Sequence, residues 1–531
     1  CASNSAPLVQ WSVYSTTQGS DHVPINIQLD YIPKPYQRLP SWKRHKANWP
    51  KFRDLLQATI EDLPQPDTFN RMNIDDIIEN FTEAVVKQAE LSIPTSTYVH
   101  SCRQVPWWNQ ECKEAIKQKN KAYYKYKRNQ TLENKIEYQR LRANARQTIK
   151  RRKRESWLSF VSTLNNSTPQ TEIWQKLKAI CGSKRNSRIS HLYLQNTNTP
   201  VTDHQHVVEA LATTFSEISS DNNYSPEFLQ AKNTSQNLDM DMFSSNTTQP
   251  YNETLTIDEI MEALRHCNSK SPGPDNIPYE IIKQMPTNAH TYLQQIYNHV
   301  WTTKCFPNQW RISTVVPIPK PNKDHSLPTN YRPISLTCTM CKLLEKVITT
   351  RLRWFLESNH LISDLQSGFR QHHTTMDNLI MLETEIEEAF ANRQHMAAIS
   401  LDIEKAYDTV WRNSIIKTLL EYGVKGNMIS FIYTFLQNRQ IIVRANGCLS
   451  RRVPLTNGIP QGSVLSVTLF LVATNKSITC LHPPVKAFLY ADDILLFCKG
   501  RDITTTPQLL QTTLLNLLEL QNGPQIFTIQ K

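Results

Sequence analysis

No run of about 18 consecutive apolar residues occurs anywhere in the 531 residues of this chain, so a membrane-spanning helix and a membrane partner are not expected. The longest candidate, Val464 to Ala473, is too short and is broken by Ser466 and Thr468. No basic stretch leading into an apolar one opens the chain, so no secretory signal is expected. The first residue is Cys1 rather than Met, and the chain is expected to be part of a longer one. A disulfide framework is also missing. The 11 cysteines are scattered through a long chain without secretory features, which favours reduced thiols. Cys338 and Cys341 form a single Cys-x-x-Cys, with no second pair at zinc spacing. They open a helical pattern of Met340, Leu343, Leu344, Val347, Ile348, Leu352 and Phe355, so core packing is the better reading. No internal repeat stands out.

Positive charge is present and is concentrated. The chain carries a net charge of +12 and has a pI near 9.1, which points to a polyanionic partner. Lys113 to Arg154 alone holds 16 Lys and Arg against three Glu, a surplus of 13, so the rest of the chain is close to neutral. That window has no proline and no glycine, and predicts a long helix or a helical hairpin. Tyr123, Tyr124, Tyr126 and Tyr138 interleave with the cations, and Trp157 follows. Cations can neutralise phosphates and aromatic faces can stack on unpaired bases, so the segment is expected to face solvent and to bind nucleic acid. A solvated charged helix, or a nuclear-localisation patch at Lys150 to Arg154, is the plainer alternative.

The remainder divides by composition. Residues 1–32 look like the tail of a folded domain, with strand character in Val23 to Ile27. Residues 33–215 form a mainly helical, basic linker region: Pro-rich connection over 33–66, a helix over 67–100, then the basic segment. Residues 216–254 are rich in Ser, Asn and Thr and predict a flexible linker. From Leu255 to the end, helical and strand patterns alternate.

Two segments of that last region carry unusual carboxylates. Ala397 to Ile403 reads as a buried strand ending at Asp402. Phe488 to Phe497 places Asp492 and Asp493 between apolar runs, as at the turn of a hairpin. Adjacent aspartates in an apolar hairpin repel each other and resist burial, and a divalent cation relieves both costs. If the hairpin lies beside the Asp402 strand, three carboxylates meet at one sheet edge. Hard oxygen ligands of that kind suit Mg²⁺, and two such ions could activate a 3′-hydroxyl and stabilise a leaving pyrophosphate. A surface Asp-Asp turn and an unrelated strand-end Asp would give the same letters.

Six motifs, in order, resemble the reverse transcriptase of non-LTR retrotransposon polyproteins, nearest to the jockey-like elements. They are Lys270-Ser271-Pro272-Gly273-Pro274-Asp275, Asn330 to Leu336 (NYRPISL), Gln366 to Arg370 (QSGFR), Ser400 to Asp408 (SLDIEKAYD), Asn457 to Ser466 (NGIPQGSVLS) and Tyr490 to Asp493 (YADD). The resemblance runs from about residue 255 onward and fades after Phe497. It implies an α+β right-hand polymerase domain over 255–531, with fingers and palm and without a thumb.

The resemblance also implies roles. Asp402, Asp492 and Asp493 would be the catalytic carboxylates and, with the backbone carbonyl of Ile403, the ligands of two Mg²⁺ ions, with Mn²⁺ as the alternative. Tyr407 would stand under the sugar as a steric gate against ribonucleotides. Gln461 would sit in the nucleotide-binding loop, and Lys320 and Arg332 would hold the triphosphate. The implied partners are an RNA template, a DNA primer or target DNA, and dNTPs. Gly19 to Ile25 is similar to the segment that closes the apurinic-type endonuclease domain of these elements, where His22 would act at the scissile phosphate and Asp21 would orient it. Two other functions compete: a catalytically defective fragment that only binds nucleic acid, and a related polymerase such as a group II intron maturase. The intact carboxylates argue against the first, and the N-terminal tail and the KSPGPD segment against the second.

Overall fold

The computed structural model describes residues 9–13, 23, 25–29, 42–95, 105–165, 168, 173, 174, 176, 177, 189–194, 200–234, 240–244, 249–268, 271–403, 405–475, 481–522, 529 and 530. Residues 1–96 together with 189–531 form one compact unit, and residues 97–188 form a second. Helices and sheets are mixed throughout the first unit, an α+β fold as the sequence predicts.

The strands, in chain order, are β1 (Val9–Val13), β2 (Ile25–Leu29), β3 (Leu192–Tyr193), β4 (Pro200–Val201), β5 (Ile312–Pro319), β6 (Tyr331–Leu336), β7 (His395–Ile403), β8 (Gln440–Ala445), β9 (Cys448–Leu449), β10 (Val453–Pro454), β11 (Lys486–Tyr490), β12 (Asp493–Gly500) and β13 (Ile529–Gln530). β1 and β2 pair as an antiparallel hairpin, in keeping with the strand character around Ile25; Asp21 and His22 lie outside the described residues. β3 pairs with β4. Five strands form one sheet in the order β10-β8-β5-β6, with β9 beside β8; β5 and β8 run parallel and the other pairs antiparallel. The second large sheet is antiparallel, in the order β11-β12-β7-β13.

The main core collects helices Thr287–Thr303, Thr339–Ser358, Asn427–Leu436 and Val464–Asn475 under the antiparallel sheet. The longest apolar run of the sequence becomes the Val464–Asn475 helix. It has no polar side, so it can only be satisfied by packing all round, and every residue from Leu465 to Asn475 except Val467 is buried. Cys338 and Cys341 belong to this core. Both are buried, burial pushes their thiols up, and the described cysteines are free.

Two expectations are corrected. Residues within 33–66 were expected to be Pro-rich connection, yet Trp49–Glu61 is a helix, capped by Asn48 with Pro50 in its first turn. Its Phe52, Leu56 and Ile60, spaced four apart, bury into the main core with Phe81 and Val85 of helix Ile74–Ser92. Phe81 stacks on Tyr292, 5.6 Å between ring centroids. Residues 42–95 are therefore part of the folded unit and not linker. Within 216–254, expected to be flexible, the described residues form helix Pro226–Thr234 and bury Phe228, Lys232, Phe243 and Tyr251. The low apolar content of that stretch is offset by these few anchors and by polar contacts to residues farther along the same chain, such as Tyr224 to the Thr409 carbonyl and Asn252 to the Lys425 carbonyl.

The basic segment is a helical hairpin, Gln110–Arg128 and Leu132–Val161, as expected from its lack of helix breakers. Asn109 and Thr131 cap the two helices.

Candidate active site

The antiparallel sheet brings the acidic residues together. β12 pairs with β7 so that Asp493 stands directly opposite Asp402, and β11 pairs with β12 so that Tyr490 stands opposite Asp493. Ala491 and Asp492 are the two-residue turn between β11 and β12, with Ala491 at φ 61°. Leu401 and Ile403 are buried while Asp402 between them is exposed, the alternation of a strand with one face on the core. Burial, reinforced by the charges of Asp493 and Asp402, holds the Asp492 carboxyl above the ordinary carboxylate range; its own backbone amide and Arg332 pull the other way. As the side chains stand, no three acidic, histidine or cysteine groups among the described residues converge on one point. The fit to a divalent ion rests on the register and the donor chemistry: facing carboxylates that repel one another, all oxygen.

The turn that carries Asp492 is clamped from below. Gln366 is buried, and its Oε1 accepts from the Ala491 amide (3.1 Å) and from the Gly368 amide (2.9 Å), while its Nε2 donates to the Ala491 carbonyl (3.4 Å). The Ser367 amide donates to the Leu489 carbonyl (3.0 Å), and the Leu489 amide to the Leu365 carbonyl (2.9 Å). Gly368 lies so close that a Cβ on it would come within 2.2 Å of the Ala491 nitrogen. Arg370 fastens this segment: Nη1 donates to the Ser363 carbonyl (2.9 Å), and the guanidinium pairs with Glu357 (2.7 Å). The QSGFR motif is thus a support for the aspartate turn, a role its letters do not reveal.

Tyr407 stacks on Phe470 of the Val464–Asn475 helix, 4.8 Å between centroids and 13° from parallel. Burial, with Asp492 nearby, pushes its hydroxyl up to about 12. The loop at 457–463 wraps this residue. The Ile459 amide donates to the Tyr407 carbonyl (2.8 Å), and Gly458, at φ +78°, approaches so closely that a Cβ would lie 2.5 Å from the Asp408 carbonyl oxygen. Farther along the loop, the Gln461 carbonyl accepts from the Ser335 amide of β6 (2.8 Å), tying the loop to the strand that carries Arg332. Arg332 lies opposite Ile318, and Lys320 follows β5 with its amide on the Asn330 carbonyl (2.9 Å). Arg332 is close enough to lower the pKa of Asp492, and Lys320, after Lys405, that of Asp408. Asp402, Asp492, Asp493, Tyr407, Arg332, Lys320 and Gln461 are thereby gathered around one region.

Several residues that sequence reasoning passed over hold this region in place. Glu345, fully buried, accepts from the Ser463 hydroxyl and from the amides of Val464 (2.9 Å) and Leu465 (3.3 Å). It is an anionic cap on the first turn of the Val464–Asn475 helix, where unpaired amides favour negative charge. Buried Arg412 donates to the carbonyls of Gly458 (2.7 Å) and Asn457 (3.0 Å). Buried Lys232 donates to Asn457 Oδ1 (2.9 Å) and pairs with Asp221, while Asn457 Nδ2 donates to Asp221 (2.7 Å). Apart from the Lys232–Asp221 pair, these contacts join residues 45 to 236 positions apart, so no local spacing announces them.

Residues 318–521 match the family model described as "Reverse transcriptase (RNA-dependent DNA polymerase)". Beyond that segment the chain is similar to RNA-directed DNA polymerases of transposons and mobile elements. It is 33% identical over 284 residues to the probable RNA-directed DNA polymerase from transposon BS of Drosophila melanogaster, covering 48% of this chain and 30% of that protein. It is 26% identical over 494 residues to the probable RNA-directed DNA polymerase from transposon X-element of the same fly, covering 91% of this chain and 52% of that protein. With the RNA-directed DNA polymerase from mobile element jockey of Drosophila funebris it shares 30% identity over 269 residues, 49% of this chain and 29% of that protein. The chain thus spans about half, or less, of the length of the curated relatives it matches. The family match includes both aspartate segments, Tyr407, the 457–463 loop and both cations. No helix among the described residues is long and apolar enough to cross a membrane.

Proposed function

We propose that this reverse transcriptase domain copies an RNA template into DNA, adding deoxynucleotides to a primer 3′-hydroxyl. The observation that carries the reading is the facing register of Asp402 and Asp493, with Asp492 in the adjoining turn, inside the family match. In this reading the β11-β12-β7 sheet and its helices are the palm, and β5 and β6 with Lys320 and Arg332 belong to the fingers.

Asp402, Asp492 and Asp493, with the Ile403 carbonyl, would hold two Mg²⁺ ions, or Mn²⁺ in their place; such ions when bound lower the pKa of the 3′-hydroxyl and neutralise the leaving pyrophosphate. In the reaction a bond forms from the primer 3′-oxygen to the α-phosphorus, the bond from that phosphorus to the bridging oxygen breaks, and the hydroxyl proton leaves. Arg332 supplies a forked cation and Lys320 a point charge to the triphosphate. Tyr407 is held flat on Phe470, so a ring placed under the sugar cannot swing aside, and the 2′-hydroxyl of a ribonucleotide would collide with it. Gln461 and its glycine-flanked loop let backbone approach the nucleotide. The test is primer extension on an RNA template by wild type, Asp402→Asn, Asp492→Asn and Tyr407→Val. Both asparagine variants should lose extension and keep template binding, and Tyr407→Val should extend and accept ribonucleotides. Equal extension by wild type and Asp492→Asn removes this reading. Template binding without extension by wild type favours a catalytically defective nucleic-acid-binding protein.

A further inference from the structure

The two-helix hairpin of residues 110–161 is absent from the chemistry above, yet with 16 Lys and Arg against five Glu it holds nearly all of the chain's net charge of +12. Its two helices meet along a seam of small and polar side chains, including Cys112, Ala115, Ala122 and Tyr126 on one and Tyr138, Ala145 and Thr148 on the other. At its base the charges neutralise one another: Arg151 and Arg152 both pair with Glu111 and with Glu155. The outer face of Gln110–Arg128 is different. Lys113, Lys117, Lys121, Tyr124 and Arg128 fall at spacings of four, four, three and four, which places them on one stripe of the helix. All five are exposed, Tyr124 at 61%, and none of the four cations has an ion-pair partner among the described residues. Lysines four apart rise by about 6 Å, so the stripe is a row of regularly spaced cations with one aromatic ring in line. Near the hairpin tip Tyr123 packs on Tyr124 and Tyr138 (5.6 and 5.4 Å between centroids), which leaves the Tyr124 ring supported and open.

We infer that this stripe is a docking surface for single-stranded RNA, with Lys113, Lys117, Lys121 and Arg128 on successive phosphates and Tyr124 stacked on an unpaired base. Unneutralised cations in a row fit a polyphosphate backbone, and an exposed ring within the row fits a base that is not already stacked in a duplex. The choice of RNA rests on the reading that this chain copies an RNA template. A self-contained hairpin is a suitable carrier, because its own seam and caps hold it without the ligand.

The experiment measures binding by the full chain of a fluorescent single-stranded RNA and of a duplex DNA of equal length, each over a salt series. Wild type should prefer the single strand, with affinity falling steeply as salt rises. Lys113→Gln combined with Lys117→Gln and Lys121→Gln should weaken binding at least ten-fold and flatten the log–log salt slope by about 2 to 3, near 0.7 per lost contact. Tyr124→Ala should weaken single-strand binding five-fold or more and leave duplex binding and the salt slope alone. All substituted side chains are exposed, and helix content by circular dichroism should match wild type. An unchanged slope in the triple variant overturns the proposal, as does equal loss of duplex and single-strand binding in Tyr124→Ala. Preference for the duplex by wild type overturns it also. Asp492→Asn, run alongside, should bind like wild type; a wild-type chain that binds with these dependences but does not extend a primer refutes the polymerase reading and leaves this one standing.

Discussion

At the scale of single residues, Gln366 shows how a side chain can matter to chemistry without touching it. Its carboxamide occupies both polar groups of Ala491, the residue before Asp492. Gln366→Met keeps the volume and removes those bonds, so the turn should drift while the core stays filled. Misplacement of reacting groups by about 1 Å costs about 10²-fold in rate, so turnover should fall by that order with little change in nucleotide KM. A wild-type turnover in Gln366→Met would show that the clamp does not position Asp492. Gly368→Ala should be harsher, because its Cβ would overlap the Ala491 nitrogen. Two half-buried aspartates make a separate prediction about pH. Burial raises Asp408 to about 7, against Lys405 and Lys320, and raises Asp275 to about 6, against the Cys338 thiol and nearby amides. Both values are above the ordinary 3.8, so the folded state binds more protons than the unfolded between about pH 4 and pH 7. Their contribution to stability is therefore complete below pH 4 and declines as pH rises toward 7. Asp408→Asn and Asp275→Asn should flatten this decline. The check is the difference in urea midpoint between pH 5 and pH 7.5 for each variant against wild type.

At the scale of elements, the Val464–Asn475 helix depends on a distant acid for its start. Glu345 accepts three hydrogen bonds there, from groups with no other way to be satisfied inside the core. Glu345→Gln keeps the shape but removes the charge and one of the two acceptor oxygens. Hydrogen bonds to a charged group contribute about 1.5–3 kcal/mol each, so a loss of that order in unfolding free energy is expected by denaturant titration. Because the same helix carries Phe470 beneath Tyr407, the variant should also loosen discrimination against ribonucleotides. Unaltered stability would mean that the cap is incidental. The basic hairpin is the opposite kind of element. Its caps, length and lack of breakers are all local, which is why its helices follow from sequence while its partner must be found by experiment.

At the scale of the whole molecule, the unit containing the family match also contains residues that lie far ahead of it in sequence. Phe52, Leu56, Phe81 and Val85 share one core with the Thr287–Thr303 and Thr339–Ser358 helices. Asp75 accepts from the Asn308 amide (2.6 Å), and Tyr292 donates to the Pro64 carbonyl (2.8 Å). Phe81→Ala should therefore destabilise the unit that contains the family match, by about 3–5 kcal/mol, and lower any primer extension in proportion to the unfolded fraction. If residues 42–95 were a linker, the same change would leave the denaturation curve where it was.

What the sequence determined by itself was everything with a local signature. The aspartates at strand end and hairpin turn, the helical hairpin, the buried apolar run and the order of the family's motifs are all written in neighbouring residues, because periodicity, turn chemistry and capping act over a few positions. The helix Trp49–Glu61 was also legible in Phe52, Leu56 and Ile60, but the prolines on either side masked it. Other features were decided only by tertiary structure. Asp402 and Asp493 face each other because β7 pairs with β12 in one register, and a slip of one residue would turn Asp402 to the other face. Gln366, Glu345, Arg412 and Lys232 find partners 46 to 225 positions away. A buried polar group must be hydrogen-bonded, but nothing in its own neighbourhood says by whom, and only the folded chain supplies that answer.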